Sequence, residues 1–322
     1  GSMREGLVLL DERGYVLSIN AAAKEIFGAD DGSAGQDFLT IDRSSAMSGA
    51  VQAAMRDGHA EIRSERAGRN YRFDLTRIES GGRSIGTVIL AFDVTEQEQA
   101  ERMRREFTAN VSHELKTPLQ GIIGSAELIE NGLVKPEDMP RFVGHIHSEA
   151  SRLMALISDI IRLSQLDEGE EMPRESVDLY DEAAEAEENL RTAAEEKGVK
   201  LSLTGEGAEI SGVRRLVYEI IYNLCDNAIK YNRPGGSVGV CVTQSESEAA
   251  VTVADTGIGI APEDQARVFE RFYRADKSRS KESGGTGLGL SIVKHAVQYH
   301  HGSIDLRSTP GGGTTIKVMF PK

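Results

Sequence analysis

Apolar residues recur along this chain with changing periods, and each period predicts a different kind of segment. From Gly6 to about Val94, short apolar runs alternate with polar turns. Gly6-Leu-Val-Leu-Leu10, the turn Asp11-Glu-Arg-Gly14 and Tyr15-Val-Leu-Ser-Ile19 together predict a β-hairpin. Asn20 is placed to cap a helix over 21–27 that stops at Gly28, and 71–78 and 84–92 have strand character.

From Glu96 to about Leu166 the spacing turns helical. Phe107, Val111, Pro118, Ile122, Ser125 and Ile129 line one face, and Phe142, Ile146, Ala150, Leu153, Ile157, Ile160 and Leu166 form a near-heptad seam on a second helix. Asn131-Gly132-Leu-Val-Lys-Pro136 supplies a stop and a restart between them. A hairpin of two such helices cannot bury its seam alone, so a homodimer closed as a four-helix bundle is expected. Pro118 removes a backbone donor and is expected to kink the first helix one turn past His113. Beyond Pro173 strands are predicted near 199–203, 237–244, 249–254 and 314–320, with helices over 211–231 and 289–300, an α/β pattern.

A length of 322 residues exceeds one ordinary core, so two or three domains are expected. No uninterrupted apolar run reaches the ~18 residues that span a bilayer. Gly1-Ser2-Met3 reads as an expression scar, and a membrane segment upstream of it is compatible with the sequence. The formal charge of -14 argues against a nucleic-acid partner. It is concentrated between Asp167 and Glu196, where thirteen acids face only Arg174 and Arg191, a pattern read as a linker and a solvated helix face. Cys225 and Cys241 are too few for a disulfide framework, and a reducing cytoplasm fits.

The chemistry centres on His113, in Phe107-Thr-Ala-Asn-Val-Ser-His113-Glu114-Leu-Lys-Thr117-Pro118. It lies about 200° round the helix from Val111 and so faces away from the seam. An imidazole beside a carboxylate can act as a nucleophile near neutral pH, with Glu114 taking the ring proton. Four motifs downstream are suited to delivering a phosphoryl group. Glu219, Asn223, Asn227 and Lys230 share one helix face; an amide oxygen at Asn227 suits Mg²⁺, and Lys230 offsets phosphate charge. Asp255-Thr-Gly257-Ile-Gly259 follows a strand, where Asp255 can accept from an adenine amino group and glycines admit close backbone approach. Val268 to Lys277, including Phe272 and Arg274, followed by polar 278–283, reads as a lid. Gly284-Gly285-Thr286-Gly287-Leu288-Gly289 opens a helix suited to phosphates.

Residues 107–119 and these four motifs, in order and spacing, resemble the H, N, G1, F and G2 boxes of sensor histidine kinases of two-component systems. The opening segment resembles a PAS domain through its hairpin, Asn20-Ala-Ala-Ala-Lys-Glu-Ile-Phe-Gly28 and the exit Phe92-Asp-Val-Thr-Glu96. With no Cys before Cys225, a photoreactive flavin-thiol PAS is excluded, and His59 is read as surface. The resemblance implies a multidomain α+β chain: an expression scar at 1–3, a PAS sensor at 4–95, a helical hairpin for dimerisation and phosphotransfer at 96–168, a linker at 169–175, and an α/β-sandwich ATP-binding domain of the GHKL (Bergerat) type at 176–322.

It further implies roles. Asn223 and Asn227 serve the phosphates and Mg²⁺, Lys230 the phosphates, Tyr231 and Asp255 the adenine, and Arg274 the γ-phosphate. Gly285, Thr286, Gly287, Leu288 and Gly289 surround the triphosphate, with Gly257, Gly259 and Phe272 completing the nucleotide site. His113 is the phospho-acceptor, Glu114 the general base, and Thr117 orients water for dephosphorylating the partner. ATP and Mg²⁺ are the implied cofactors, and a homodimer and a response-regulator receiver domain the implied partners. By the same resemblance the chain is the cytoplasmic portion of a protein anchored in a bacterial membrane. Two other classes share parts of the pattern: an ATP-driven clamp, which needs no His113, and a non-catalytic sensory scaffold.

Overall fold

The computed structural model describes residues 4–168, 172–275 and 286–322. It divides into two compact units, Gly1–Glu106 and Phe107–Lys322. The first contains β1 (Gly6–Leu10), β2 (Val16–Ile19), α1 (Ala21–Phe27), α2 (Phe38–Ile41), α3 (Ser45–Asp57), β3 (His59–Arg66), β4 (Arg69–Ser80) and β5 (Arg83–Asp93). The strands form one antiparallel sheet in the order β2-β1-β5-β4-β3.

Alternation sets its buried face: Val8 and Leu10 on β1, Tyr71, Phe73 and Leu75 on β4, and Ile89 and Ala91 on β5 point into one core with Phe27, Phe38, Met47 and Val51 of the helices. Asn20 caps α1 as predicted, accepting the Ala23 N–H at 2.8 Å, and its amide also donates to the Glu5 carbonyl, tying helix to strand. His59 is exposed, 3.4 Å from the Thr76 hydroxyl.

Helix α4 (Thr95–Glu130) begins in the first unit and ends in the second, and α5 (Met139–Glu168) returns beside it. The stop and restart behave as the sequence predicts. The Leu133 N–H bonds back to the Leu128 carbonyl and the Gly132 N–H to Ile129, closing α4, and a short 3₁₀ turn over Pro136–Asp138 leads into α5. Helical assignment continues through Pro118, which is buried. All six residues assigned to the α4 seam are buried or half-buried.

On α5 the pattern differs from the predicted heptad. Leu156, Leu163 and Leu166 are the buried residues, whereas Ile157 stays 36% exposed. The reason is a second packing surface. At ~100° per residue, Leu156, Asp159, Arg162, Leu163 and Leu166 fall within about a third of the helix circumference, and Met154, Ile157 and Ile161 on the opposite side. The three leucines of the first set pack into the core of the following domain, Asp159 and Arg162 beside them pair with Thr286 and Glu219, and the second set faces outward with Leu119, Ile123 and Leu128 of α4.

That domain contains β6 (Glu175–Asp178), α6 (Leu179–Glu196), β7 (Lys200–Gly205), β8 (Glu209–Gly212), α7 (Arg214–Lys230), β9 (Ser237–Gln244), β10 (Glu248–Asp255), α8 (Pro262–Gln265), α9 (Gly289–Tyr299), β11 (Ser303–Thr309) and β12 (Gly313–Pro321). Its main sheet runs β11-β12-β10-β9-β7, antiparallel except for the parallel β7–β9 pair, and β6 pairs with β8 apart from it. Helices α6, α7 and α9 pack over this sheet through one core that includes Leu190, Ile220, Leu224, Val240, Val251, Ile292 and Val318.

The acidic run is mostly a helix face, as read from sequence, but Glu182 is buried. It pairs with Arg214 at 2.8 Å, and burial raises its pKa. At the far end of α9, His300 is 4% exposed. Its Nδ1 donates to the Ala296 carbonyl at 2.7 Å and its Nε2 accepts the Val213 N–H at 2.9 Å, which closes the entry to α7. No described helix is long and apolar enough to cross a membrane.

Candidate active site

Helix α7 carries Glu219, Asn223, Asn227 and Lys230 at a spacing that keeps them on one face. Its other face buries Val217, Ile221 and Cys225, so packing fixes the polar row toward the far side. A cavity of about 460 Å³ opens there, between α7, the end of β10 and the start of α9. Asn223, Asn227, Lys230, Tyr231, Asp255, Gly259, Arg274, Thr286, Gly287 and Gly289 line it. Of the predicted nucleotide residues, Gly257, Phe272 and Leu288 do not. Leu288 is fully buried in the core, Gly257 packs under the Tyr231 carbonyl, and Phe272 stacks 5.8 Å from the Phe107 ring on α4. Gly285 and the predicted lid residues from 276 to 283 lie outside the described residues.

Glycine leaves space at two positions lining the cavity. At Gly289 a Cβ would come within 2.8 Å of the Asn223 amide oxygen, closing the gap between α7 and the start of α9. Gly259 has φ +71, and a Cβ there would meet the Thr309 carbonyl at 2.0 Å. Asp255 sits at the cavity floor, where its Oδ1 accepts from Gly257 N–H at 2.7 Å and Thr314 N–H at 3.3 Å. Burial raises its pKa, against the two backbone donors that lower it. Lys230 donates to Asp226 at 2.6 Å, which holds the ammonium at the cavity rim.

Among the described residues no three acidic, His or Cys side chains group to hold a metal. Asn223 and Asn227 bring amide groups to the cavity, and their oxygens together with phosphate oxygens of a ligand are a hard donor set that fits Mg²⁺.

A second cavity, of about 330 Å³, lies on the helical hairpin. His113, Glu114, Thr117 and Gly121 of α4 line it with His145, Glu149 and Arg152 of α5 and with Arg274 from the side of the first cavity. His113 is exposed. Thr117 donates to the His113 carbonyl at 3.2 Å. The Glu114 carboxylate meets the Arg274 guanidinium at 3.3 Å and Arg152 at 3.8 Å, all through Oε2. Arg274 thus lines both cavities.

Further contacts hold the hairpin against the elements of the first cavity. Thr286 donates to Asp159 at 2.9 Å, Arg162 pairs with Glu219 at 3.1 Å, and Arg271 reaches Asp167 at 2.6 Å. Burial raises the Asp159 pKa, with Thr286, Arg162 and Lys230 pulling it down.

Arg152, Asp159, Arg162 and His145 were not singled out by the sequence reading. A seam of apolar residues draws attention away from the polar positions between them. The available signal was that Arg152, Asp159 and Arg162, at i, i+7 and i+10, share one side of an otherwise amphipathic helix. The His145 side chain is half exposed yet bonds Ser125 at 3.2 Å and lines the His113 cavity.

Comparison with known proteins bears on both cavities. Residues 212–322 match the family described as histidine kinase-, DNA gyrase B-, and HSP90-like ATPase, and residues 103–169 match the His Kinase A (phospho-acceptor) domain. The sensor-like histidine kinase SenX3 of Mycolicibacterium smegmatis is 39% identical over 237 residues, 73% of this chain and 62% of that protein. The sensor protein SrrB of Staphylococcus aureus is 32% identical over 324 residues, covering 100% of this chain and 54% of that protein. The chain therefore spans less than two thirds of the length of these curated relatives. Among solved structures, full-length ShkA in complex with AMPPNP is 28% identical with a TM-score of 0.52, over 67% of this chain and 45% of that one. The histidine kinase ThkA in complex with the response regulator TrrA has a TM-score of 0.56 at 20% identity, over 100% of this chain and 96% of that one, a likeness of fold.

Proposed function

Since the chain belongs to the sensor histidine kinases of two-component systems, with a phospho-acceptor helical region and an α/β ATP-binding domain, we propose that it phosphorylates its own His113 from ATP. A ring nitrogen of His113 attacks the γ-phosphorus, the bond from that phosphorus to the bridging oxygen of ADP breaks, and Glu114 takes the ring proton. Lys230 and Arg274 offset the charge that moves with the phosphoryl group. Asn227, with Asn223 beside it, would hold Mg²⁺ against the phosphates, and the ion would neutralise part of their charge.

The observation that carries this reading is the position of Arg274. One guanidinium borders the nucleotide cavity and the His113 cavity alike, and it touches the carboxylate next to the acceptor. A group so placed can follow a phosphoryl from donor to acceptor.

Phosphohistidine is a high-energy N–P bond, and the reading continues with transfer to an Asp of a response-regulator receiver domain. Thr117, on the rim of the His113 cavity, is suited to orient water for the reverse duty, dephosphorylation of that regulator. The outward stripe of Leu119, Ile123, Met154, Ile157 and Ile161 supports a homodimer closed over a four-helix bundle. A PAS role for residues 4–95, and a membrane anchor outside this chain, complete the reading.

Incubation of the purified chain with γ-labelled ATP tests it. Acid-labile, base-stable label that disappears in His113→Gln is the expected result. ATP hydrolysis without covalent label points instead to a clamp, and nucleotide binding that survives both Asn227→Ala and Asp255→Asn unchanged points to a scaffold.

A further inference from the structure

The Glu114 carboxylate has two cationic neighbours of different kinds. Arg274 belongs to the ATP-binding domain and must turn toward a nucleotide if it is to meet a γ-phosphate. Arg152 belongs to α5, packed in the same hairpin as His113, and its side chain is only 20% exposed. Its guanidinium stands 3.8 Å from Glu114 Oε2, inside ion-pair range but longer than a hydrogen bond. A charge at that distance orients the carboxylate without occupying its lone pairs, which leaves them open to the His113 ring proton.

From this we infer that Arg152 is the resident positioning residue of the acceptor site. It holds the Glu114 carboxylate toward His113 when Arg274 leaves it for the nucleotide. The inference rests on the phosphotransfer reading above, with Glu114 as the base. Arginine suits the task because its charge does not titrate in the working range and its planar fork is set by the packed stem. Lysine retains the charge and loses the fork, so it is expected to support the reaction in part.

The test is the initial rate of His113 labelling as a function of ATP concentration, in the full chain. Arg152→Ala should lower kcat about tenfold or more, a part of the ~10²–10⁴-fold that a general base contributes, while the KM for ATP stays the same. Arg152→Lys should recover most of that loss. Because Arg152 acts through Glu114, adding Arg152→Ala to Glu114→Gln should cost nothing further.

An Arg152→Ala rate equal to wild type overturns the inference, and so do losses that multiply in the double variant. A raised KM in Arg152→Ala and Arg152→Lys alike also overturns it, since that reports a defect in the nucleotide domain. The kinase reading fails separately and visibly: wild-type protein that binds ATP and takes no label on His113 removes that reading, and this inference with it.

Discussion

Acid should loosen the ATP-binding domain through His300. The ring is buried and its two nitrogens are committed in opposite senses, Nδ1 donating to Ala296 and Nε2 accepting from Val213. Protonation puts a hydrogen on Nε2, facing another N–H, and places a charge inside the core. Burial accordingly lowers the pKa below its ordinary 6.5, with Arg174 and His301 adding to the effect and the Ala296 carbonyl opposing it. A base whose folded pKa is depressed leaves the unfolded chain holding more protons as pH falls. Its contribution to stability is fully present above about pH 6.5 and is lost below it, down to the folded pKa.

If the folded ring stays neutral throughout, the change from about pH 7.5 to about pH 5.5 is a factor of ten, or about 1.4 kcal/mol, and this is the ceiling. The chain has no tryptophan, so urea unfolding is best followed by far-UV circular dichroism at both pH values. Wild type should lose up to that amount relative to His300→Phe, which cannot titrate. Comparing the two cancels Asp255, Asp159 and Glu182, whose raised pKa values act with the opposite sign. An identical pH dependence in wild type and His300→Phe would refute the reasoning.

Asp255→Asn should weaken nucleotide binding by about 10- to 100-fold, the equivalent of about 1–3 kcal/mol for a buried polar group left mispaired. Isothermal titration with a non-hydrolysable ATP analogue measures it, and an unchanged Kd would remove Asp255 from the adenine site. Ile161, 54% exposed, should tolerate Arg without loss of helicity while the protein sediments as a monomer; a persisting dimer would place the interface elsewhere.

The helical hairpin, its turn at Gly132 and Pro136, the α4 seam and the strands β9, β10 and β12 were legible because each carries a strong local period or punctuation. Asn223, Asn227, Asp255 and the glycines around 287 were legible as short motifs. What escaped was whatever depends on a neighbour distant in sequence. Leu156 and Leu163 are buried in a core to which α9, more than a hundred residues further on, contributes, and no heptad count reveals that. Strand β11 is an edge strand whose Ile304 and Leu306 are only half-buried, so its alternation is faint. Helix α6 hid behind its charge, since small alanines rather than large apolar residues make its inner face. The pairs Arg152–Glu114 and Asp159–Thr286 join α5 to segments on either side of it in sequence, and only the folded chain brings them together.

The two sides of α5 carry a practical consequence. Its outward residues, Met154, Ile157 and Ile161, and its inward ones, Leu156, Asp159, Arg162 and Leu163, do not overlap around the axis. With the proposed dimer closed on the outward arc, assembly and chemistry are genetically separable on a single helix. Substitutions on the outward arc would yield monomers with an intact ATP site, those on the inward arc dimers whose catalytic domain has lost its seat. Mixing an inward-arc variant with His113→Gln, both with the outward arc intact, would allow complementation between chains to be scored directly.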